Sequence, residues 1–419
     1  MEVAAHPEAV PGRPPGLTAR PARSLRKLYF LLEAVNSMAT AYYFNYLFFY
    51  MRDHFGFGNR NNLMLTATHG CIYMFSAWNA GRFAHRHGYH FSLRLGFSGM
   101  AVALFAAALI PRALGYSHGA LAAQVGCLVL WTVSMCLTWP TLQALLSRGQ
   151  PPSGMPRTAG IYNMVWACGA ATANLSGGAL VQHFGGETLF WLPAGLHVIQ
   201  VLLLARVAKT GAAEDTPTIA SRGIETVPPL NPRPIARART FLYLAWLANP
   251  FAYMAINGVL PIMPKLAANL KLDDAQAGLV GSVWFWVRLG AFVWFFLWPG
   301  WHYRFRWLLS AFIALAVSFT LMLLSPHVWL LIVAEVIFGL AVGLIYYSSL
   351  FYSMDVGEST GKRGGIHEAA IGLGVFTGPA IGVSALSLLP RVPNAGIWAI
   401  SGALLLGLVP FCLIKKRGG

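Results

Sequence analysis

Four ionisable residues of this chain fall inside long apolar runs: Glu33, His69, Glu335 and the arginine of "WFWVRLG", Arg288. An unpaired charge at membrane depth costs several kcal/mol, so each is a candidate proton or substrate site rather than filler. Glu33 stands near the start of its run and Glu335 part-way into its own. Arg288 sits near the middle of its run and must find a partner; Glu335 is the first choice, although the two depths differ by about 10 Å at 1.5 Å per residue. His69, with Tyr73 one turn away, has the chemistry to titrate near neutral pH, and a hydrogen-bonded packing role is its alternative. A carboxylate that alternates between wet and dry surroundings, or gains and loses an arginine, exchanges its proton as it does so. Proton coupling follows from these residue types, while sodium coupling and uncoupled movement fit them as well.

On the first, fourth, seventh and tenth runs, polar residues stand at helical spacing. One carries Glu33, Asn36, Thr40 and Tyr43. A second carries Ser134, Thr138 and Thr141 beside Trp131 and Trp139. A third carries Asn249, Tyr253 and Asn257, and a fourth Glu335, Tyr346, Ser349 and Ser353. Such stripes can wet a cavity with amide and hydroxyl groups between aromatic walls. Serine and threonine also bond helices to one another in lipid, which is the competing role for each of them singly.

The elements that must hold these residues follow from composition. The 419 residues are 56% hydrophobic and 11% charged, with mean hydropathy +0.56, where soluble domains carry about 25% charged residues. About 20 apolar residues cross a bilayer as a helix. Twelve segments reach or approach that: 28–50, 62–80, 92–110, 121–146, 158–182, 188–207, 240–262, 276–298, 307–324, 328–353, 365–388 and 395–414. Backbone in lipid must satisfy its own hydrogen bonds, and runs of this length do so as helices. The expected fold is an all-α integral membrane protein of twelve transmembrane helices in two six-helix, pseudo-symmetric bundles. The expected parts are a disordered tail over 1–24, a bundle over 25–207, a polar, Pro-containing linker over 208–239, a second bundle over 240–414, and a short tail over 415–419.

The formal charge of +16 does not indicate nucleic acid, because the basic residues are dispersed in short loops. Of the 30 Lys and Arg, Arg52, Arg60, Arg112, Lys265, Lys271 and Arg391 fall on one side, Arg288 within a span, and all others on the side of the termini. That asymmetry puts both termini in the cytoplasm of a multi-pass cell-membrane protein. The five cysteines lie in apolar runs without paired spacing, so neither disulfides nor a metal site is expected, and no cofactor is implied. No signal-peptide pattern opens the chain.

The halves resemble each other: residues 160–177 laid over 365–382 pair Gly160 with Gly365, Ile161 with Ile366, Gly169 with Gly374, Thr172 with Thr377 and Gly177 with Gly382. This matches the fifth segment to the eleventh, as a duplicated six-helix unit requires. With the loop "GRFAHRHGYH" between the second and third segments, the chain resembles the major facilitator superfamily. Gly81, Arg86 and Gly88 match that family's loop motif, His85 stands where aspartate is usual, and Tyr89 and His90 stand where basic residues are usual.

The resemblance implies a transporter, working as a monomer, in which two halves rock around a central site between the first, fourth, seventh and tenth helices. It also implies that the loop latches against the eleventh helix. Without the aspartate, the signs of that latch exchange if His85 and Arg86 face Glu368, with Asp355 and Glu358 nearby. The alternative is that Glu368 only complements the positive end of its helix, worth about 0.3 to 1 kcal/mol. Gly372, Gly374, Gly378 and Pro379 predict close helix approach and a kink. The family's antiporter pattern on the fifth helix is missing, since Asn174 stands opposite Pro379.

The functional reading is a secondary transporter of a small organic solute, proton-coupled, with its lipid bilayer and solute as partners. The polar stripes favour uptake, and Trp284, Trp286, Trp294 and Trp298 would suit efflux of a lipophilic compound. A membrane-embedded transferase and a non-transporting sensor are the readings from other classes.

Overall fold

The computed structural model describes residues 19–147, 155–209, 235–355 and 361–418. The expected disordered tail, most of the 208–239 linker, the Glu358 part of the latch and the side chain of Asp355 lie outside the described residues. Among those residues the fold is entirely helical. In chain order the α-helices are α1 (Ala19–Phe55), α2 (Asn59–His87), α3 (Tyr89–Leu114), α4 (His118–Cys136), α5 (Trp139–Ser147), α6 (Met155–Phe184), α7 (Thr188–Lys209) and α8 (Ile235–Val259). They continue with α9 (Met263–Asn269), α10 (Asp274–Gly281), α11 (Val283–Leu297), α12 (Phe305–Leu323), α13 (Val328–Asp355), α14 (Gly361–Leu388), α15 (Ala395–Leu406) and α16 (Leu408–Gly418). Four pairs, α4 with α5, α8 with α9, α10 with α11 and α15 with α16, are single rods broken once, so the helices group into the twelve rods that the hydrophobic segments predict.

Ten of the rods are long and apolar enough to cross a membrane among the described residues. The two that fall short, α1 and α2, carry buried Glu33, Asn36, Ser37 and Thr40 and buried Asn62, Thr66 and His69. The packing explains it: α1 lies against α6 and α7, so lipid does not demand an apolar surface from it. The outward faces of other rods present Val102, Leu202 and Trp329, as a hydrocarbon solvent requires.

Glycine sets the closest approaches. A Cβ on Gly169 of α6 would lie 2.7 Å from the Ala34 carbonyl of α1, and one on Gly374 of α14 would collide with the Pro250 carbonyl of α8. These two glycines are the pair matched in the sequence repeat, and they make the same kind of contact in each half. Across the halves, Gly70 of α2 meets the backbone at Phe376, Gly372 of α14 meets Met74, and Gly178 of α6 meets Asp274. The halves therefore touch along two seams, α2 with α14 and α6 with α10 and α11. Gly88, with φ of +95°, makes the turn between α2 and α3, a conformation that side-chain-bearing residues avoid.

The face where α1 begins and α16 ends is here called the terminal face, and the opposite one the distal face. Bonds between the halves gather at the distal face. Arg52 Nη1 donates to the Pro264 carbonyl at 3.0 Å and Arg52 Nη2 lies 3.6 Å from Asp274 Oδ1. Asn62 Nδ2 donates to the Pro261 carbonyl at 3.2 Å, Arg60 Nε to Ser387 Oγ at 3.1 Å, and the Ala275 amide to Gln182 Oε1 at 3.0 Å.

Candidate functional site

Broken rods place the site's walls. Pro140 lacks the amide that would continue α4, so the helix stops at Cys136 and restarts as α5 with Trp139 in its first turn. Side chains bond the carbonyls around the break: Ser92 Oγ and Thr141 Oγ1 donate to the Leu137 carbonyl at 3.1 and 2.7 Å, and Thr138 Oγ1 donates to the Met135 carbonyl at 2.8 Å. Asn36 Nδ2 reaches across from α1 to Thr138 Oγ1 at 3.1 Å. A second break, at Ser282, separates α10 from α11. There the Trp284 amide donates to Glu335 Oε2 at 3.3 Å.

Between the halves lies a cavity of about 190 Å³. Its walls are largely aromatic, with Phe44, Trp131 and Trp139 from one half, Trp284, Phe285 and Tyr346 from the other, and Trp166 at the seam. Its polar atoms include those of Glu33, Ser37, Thr40 and Asn45 on α1, Gln143 on α5, Asn257 on α8, and Glu368 on α14. Ser37 Oγ donates to Glu33 Oε1 at 2.9 Å, while Glu33 Oε2 is buried without a partner among the described residues. Tyr73 Oη donates to Glu368 Oε2 at 2.8 Å across the α2–α14 seam.

His69 Nδ1 lies 2.8 Å from Thr132 Oγ1. Because that hydroxyl already donates to the Leu128 carbonyl at 2.7 Å, the imidazole must be the donor, which fixes the proton on Nδ1. Arg288 is the one Lys or Arg among the described residues that line the cavity. Its guanidinium carbon stands 4.6, 4.9 and 5.1 Å from the ring centroids of Trp166, Trp284 and Phe285.

Of the substrate residues expected from sequence, Thr40, Trp131, Trp139, Tyr253, Asn257 and Tyr346 line this cavity, and so do Glu33, His69, Arg288 and Glu368. Asn36 and Thr138 are bonded to each other at the α4–α5 break. Tyr43 backs the wall, edge-on to Trp131 at 4.7 Å. Asn249 and Ser349 are buried away from the cavity. Glu335 likewise stands outside it, at the start of α11, and its bond there goes to backbone rather than to Arg288.

The latch contact of His85 and Arg86 with Glu368 is not made in this arrangement. His85 and Arg86 are exposed, and Gly81 is exposed beside them, while Glu368 is buried and bonded to Tyr73. Gly378 and Pro379 sit inside α14, where a Cβ on Gly378 would strike the Met254 carbonyl, so their place is in helix packing. Of the four tryptophans offered for efflux, Trp284 faces the cavity and Trp286 and Trp294 are exposed on the outer surface.

Sequence reasoning missed Tyr162, Trp166 and Gln143. The first two stand one helical turn apart on α6, a glycine-rich rod outside the four expected to carry the site. That spacing of two large aromatic residues among glycines was the available signal.

The model of the Major Facilitator Superfamily matches residues 4–173. No curated protein matches the chain. Several solved structures share its fold. A mutant of the nucleoside transporter NupG is 13% identical, with TM-score 0.69 over 93% of this chain and 99% of that one. A mutant of the peptide transporter POT bound to alafosfalin is 14% identical, with TM-score 0.70 over 94% and 95%. The xylose transporter XylE from E. coli, in a partially occluded inward-open conformation, is 13% identical, with TM-score 0.69 over 95% and 98%.

Proposed function

We propose that this chain is a transporter of the major facilitator superfamily rather than an enzyme, and that it is a proton-coupled symporter taking up a small organic solute by alternating access. The supporting observation is the cavity shared by both halves, in which two carboxyl groups, Glu33 and Glu368, meet only hydroxyl donors among the hydrogen bonds described. The other titratable groups facing it are His69, Arg288 and the phenols of Tyr73, Tyr162, Tyr253 and Tyr346.

A carboxyl in such a place exchanges a proton when the halves rock and the cavity fills or dries. The terminal face is the cytoplasmic one by its excess of Lys and Arg, so the bonded distal mouth is the outer gate and the chain stands inward-facing. In this reading 25–207 and 240–414 move as bodies joined by 208–239, in a cell membrane, with one chain sufficient for transport.

Proteoliposomes holding the full chain and a trapped pH dye test the proposal. A panel of pentoses, nucleosides, dipeptides and small carboxylates is added with and without a pH gradient. Coupled symport gives uphill accumulation of about tenfold per pH unit for one proton per solute, together with a solute-dependent pH change inside. Accumulation that ignores the gradient removes the coupling, and binding without flux makes the protein a sensor. The aromatic walls favour export of an aromatic compound as the second reading. Inverted vesicles separate the two directions.

A further inference from the structure

Arg288 shares the cavity with two carboxyl groups but is bonded to neither: Glu33 takes its hydrogen bond from Ser37 and Glu368 takes its own from Tyr73. Burial leaves the guanidinium almost without access to water, 5% exposed, and its Nε has no acceptor among the described residues. What surrounds it is aromatic, the rings of Trp166, Trp284 and Phe285. Such faces attract a cation, yet they offer no lone pair to its Nε–H, and burying an ion without a counter-charge is unfavourable. The arrangement is thus incomplete as a protein-internal feature: a planar guanidinium stands at a seam between halves with its Nε lacking an acceptor among the described residues and no carboxylate bonded to it.

From this we propose that Arg288 is the binding group for the anionic end of the solute, and that the solute is a small organic carboxylate with a flat apolar body. A carboxylate matches the guanidinium fork with two parallel hydrogen bonds, which a point acceptor does not. The body of the solute lies between Phe44 and Trp139 of one half and Phe285 of the other. Because Trp166 belongs to the first half and Arg288 to the second, a solute held by both closes the seam between them. The carboxyl of Glu33 carries the proton that accompanies the anion, so that solute and proton cross together without net charge. This rests on the transporter reading for its direction and coupling, but the binding claim stands apart from it.

Binding is measured on the purified full chain in detergent by quenching of tryptophan fluorescence and by calorimetry. The probes are benzoate, phenylacetate and indole-3-acetate, each against its neutral amide and against the amine of similar shape, with acetate as the anion that lacks a ring. We expect at least one aryl carboxylate to bind about tenfold or more tightly than its amide, as loss of a charge-assisted pair requires, and acetate and the amines to bind more weakly still. Arg288→Gln removes the preference for carboxylate over amide, and Arg288→Lys keeps it in part.

Equal binding of amide and carboxylate by the natural chain overturns the proposal without any variant having to fold. So does failure of every aryl carboxylate to bind, or a full preference retained in Arg288→Gln. Carboxylate binding without flux leaves the site and removes the transport reading. Flux of a neutral solute that no carboxylate inhibits does the reverse.

Discussion

The two halves agree in packing and differ in chemistry. In one, Gly169 lets α6 reach the α1 backbone at Ala34; in the other, its repeat partner Gly374 lets α14 reach the α8 backbone at Pro250. Even the turns at the terminal face correspond: Tyr29 Oη of α1 bonds His90 Nε2 at 2.8 Å, and Phe241 of α8 packs edge-on to Tyr303 at 5.4 Å. Yet the first half brings an acid and an imidazole, Glu33 and His69, where the second brings a guanidinium on α11 and an acid on α14. The lesson is that duplication fixed where rods may approach, because backbone contact depends on small residues alone. Each half was then free to place different charges on its copy of the wall.

Substituting the paired glycines breaks the shared part of that comparison and has the largest effect. Gly374→Val and Gly169→Val each force backbones apart and cost about 3 kcal/mol or more, read as loss of the monodisperse peak and of the thermal transition. Gly126→Ala, where a Cβ meets nothing within 4 Å, leaves both intact. Equal tolerance of all three would show that the seams are loosely packed.

The differing part is sharpened by two acids. Glu33→Gln abolishes uphill accumulation, about tenfold at a gradient of one pH unit, and leaves downhill exchange. Glu335→Gln keeps an acceptor for the Trp284 amide, so gradient-driven uptake persists. The opposite pattern would move the coupling site from the cavity to the start of α11.

The smallest effect is at the distal gate. Arg52 is partly exposed and makes an ion pair of the kind worth about 1 kcal/mol or less, so Arg52→Ala shifts the ratio of inward- to outward-facing molecules by about fivefold at most. Spin-label distances across the distal mouth report it, and an unchanged distribution would assign closure to the α2–α14 and α6–α10 seams instead.

The rods, their pairing and most of the cavity were legible from sequence because hydropathy and helical spacing act locally. Thr40, Tyr253 and Asn257, which line the cavity, stand out because each has a polar neighbour one turn away on an apolar background, and Trp139 because it lies beside such a stripe. What was not legible depends on rotation about a helix axis or on breaks. Pro140 turns Trp139 inward while leaving Asn36 and Thr138 to close the break. Ser282 ends α10 so that Glu335 meets an amide instead of Arg288. The pairing of His85 and Arg86 with Glu368 is not made in this arrangement for a related reason: Glu368 is far enough into its rod to find Tyr73 across the seam, while His85 and Arg86 lie at the surface.

Two of the bonds at the distal face join donors on one half to main-chain oxygens on the other: Asn62 and Arg52 reach the carbonyls of Pro261 and Pro264. A scan that trims side chains would register the donors and stay blind to what they grip. Evolution faces the same asymmetry, free to rewrite the residues bearing those oxygens so long as the peptide planes keep their tilt, and bound to keep a reaching amide or guanidine opposite them.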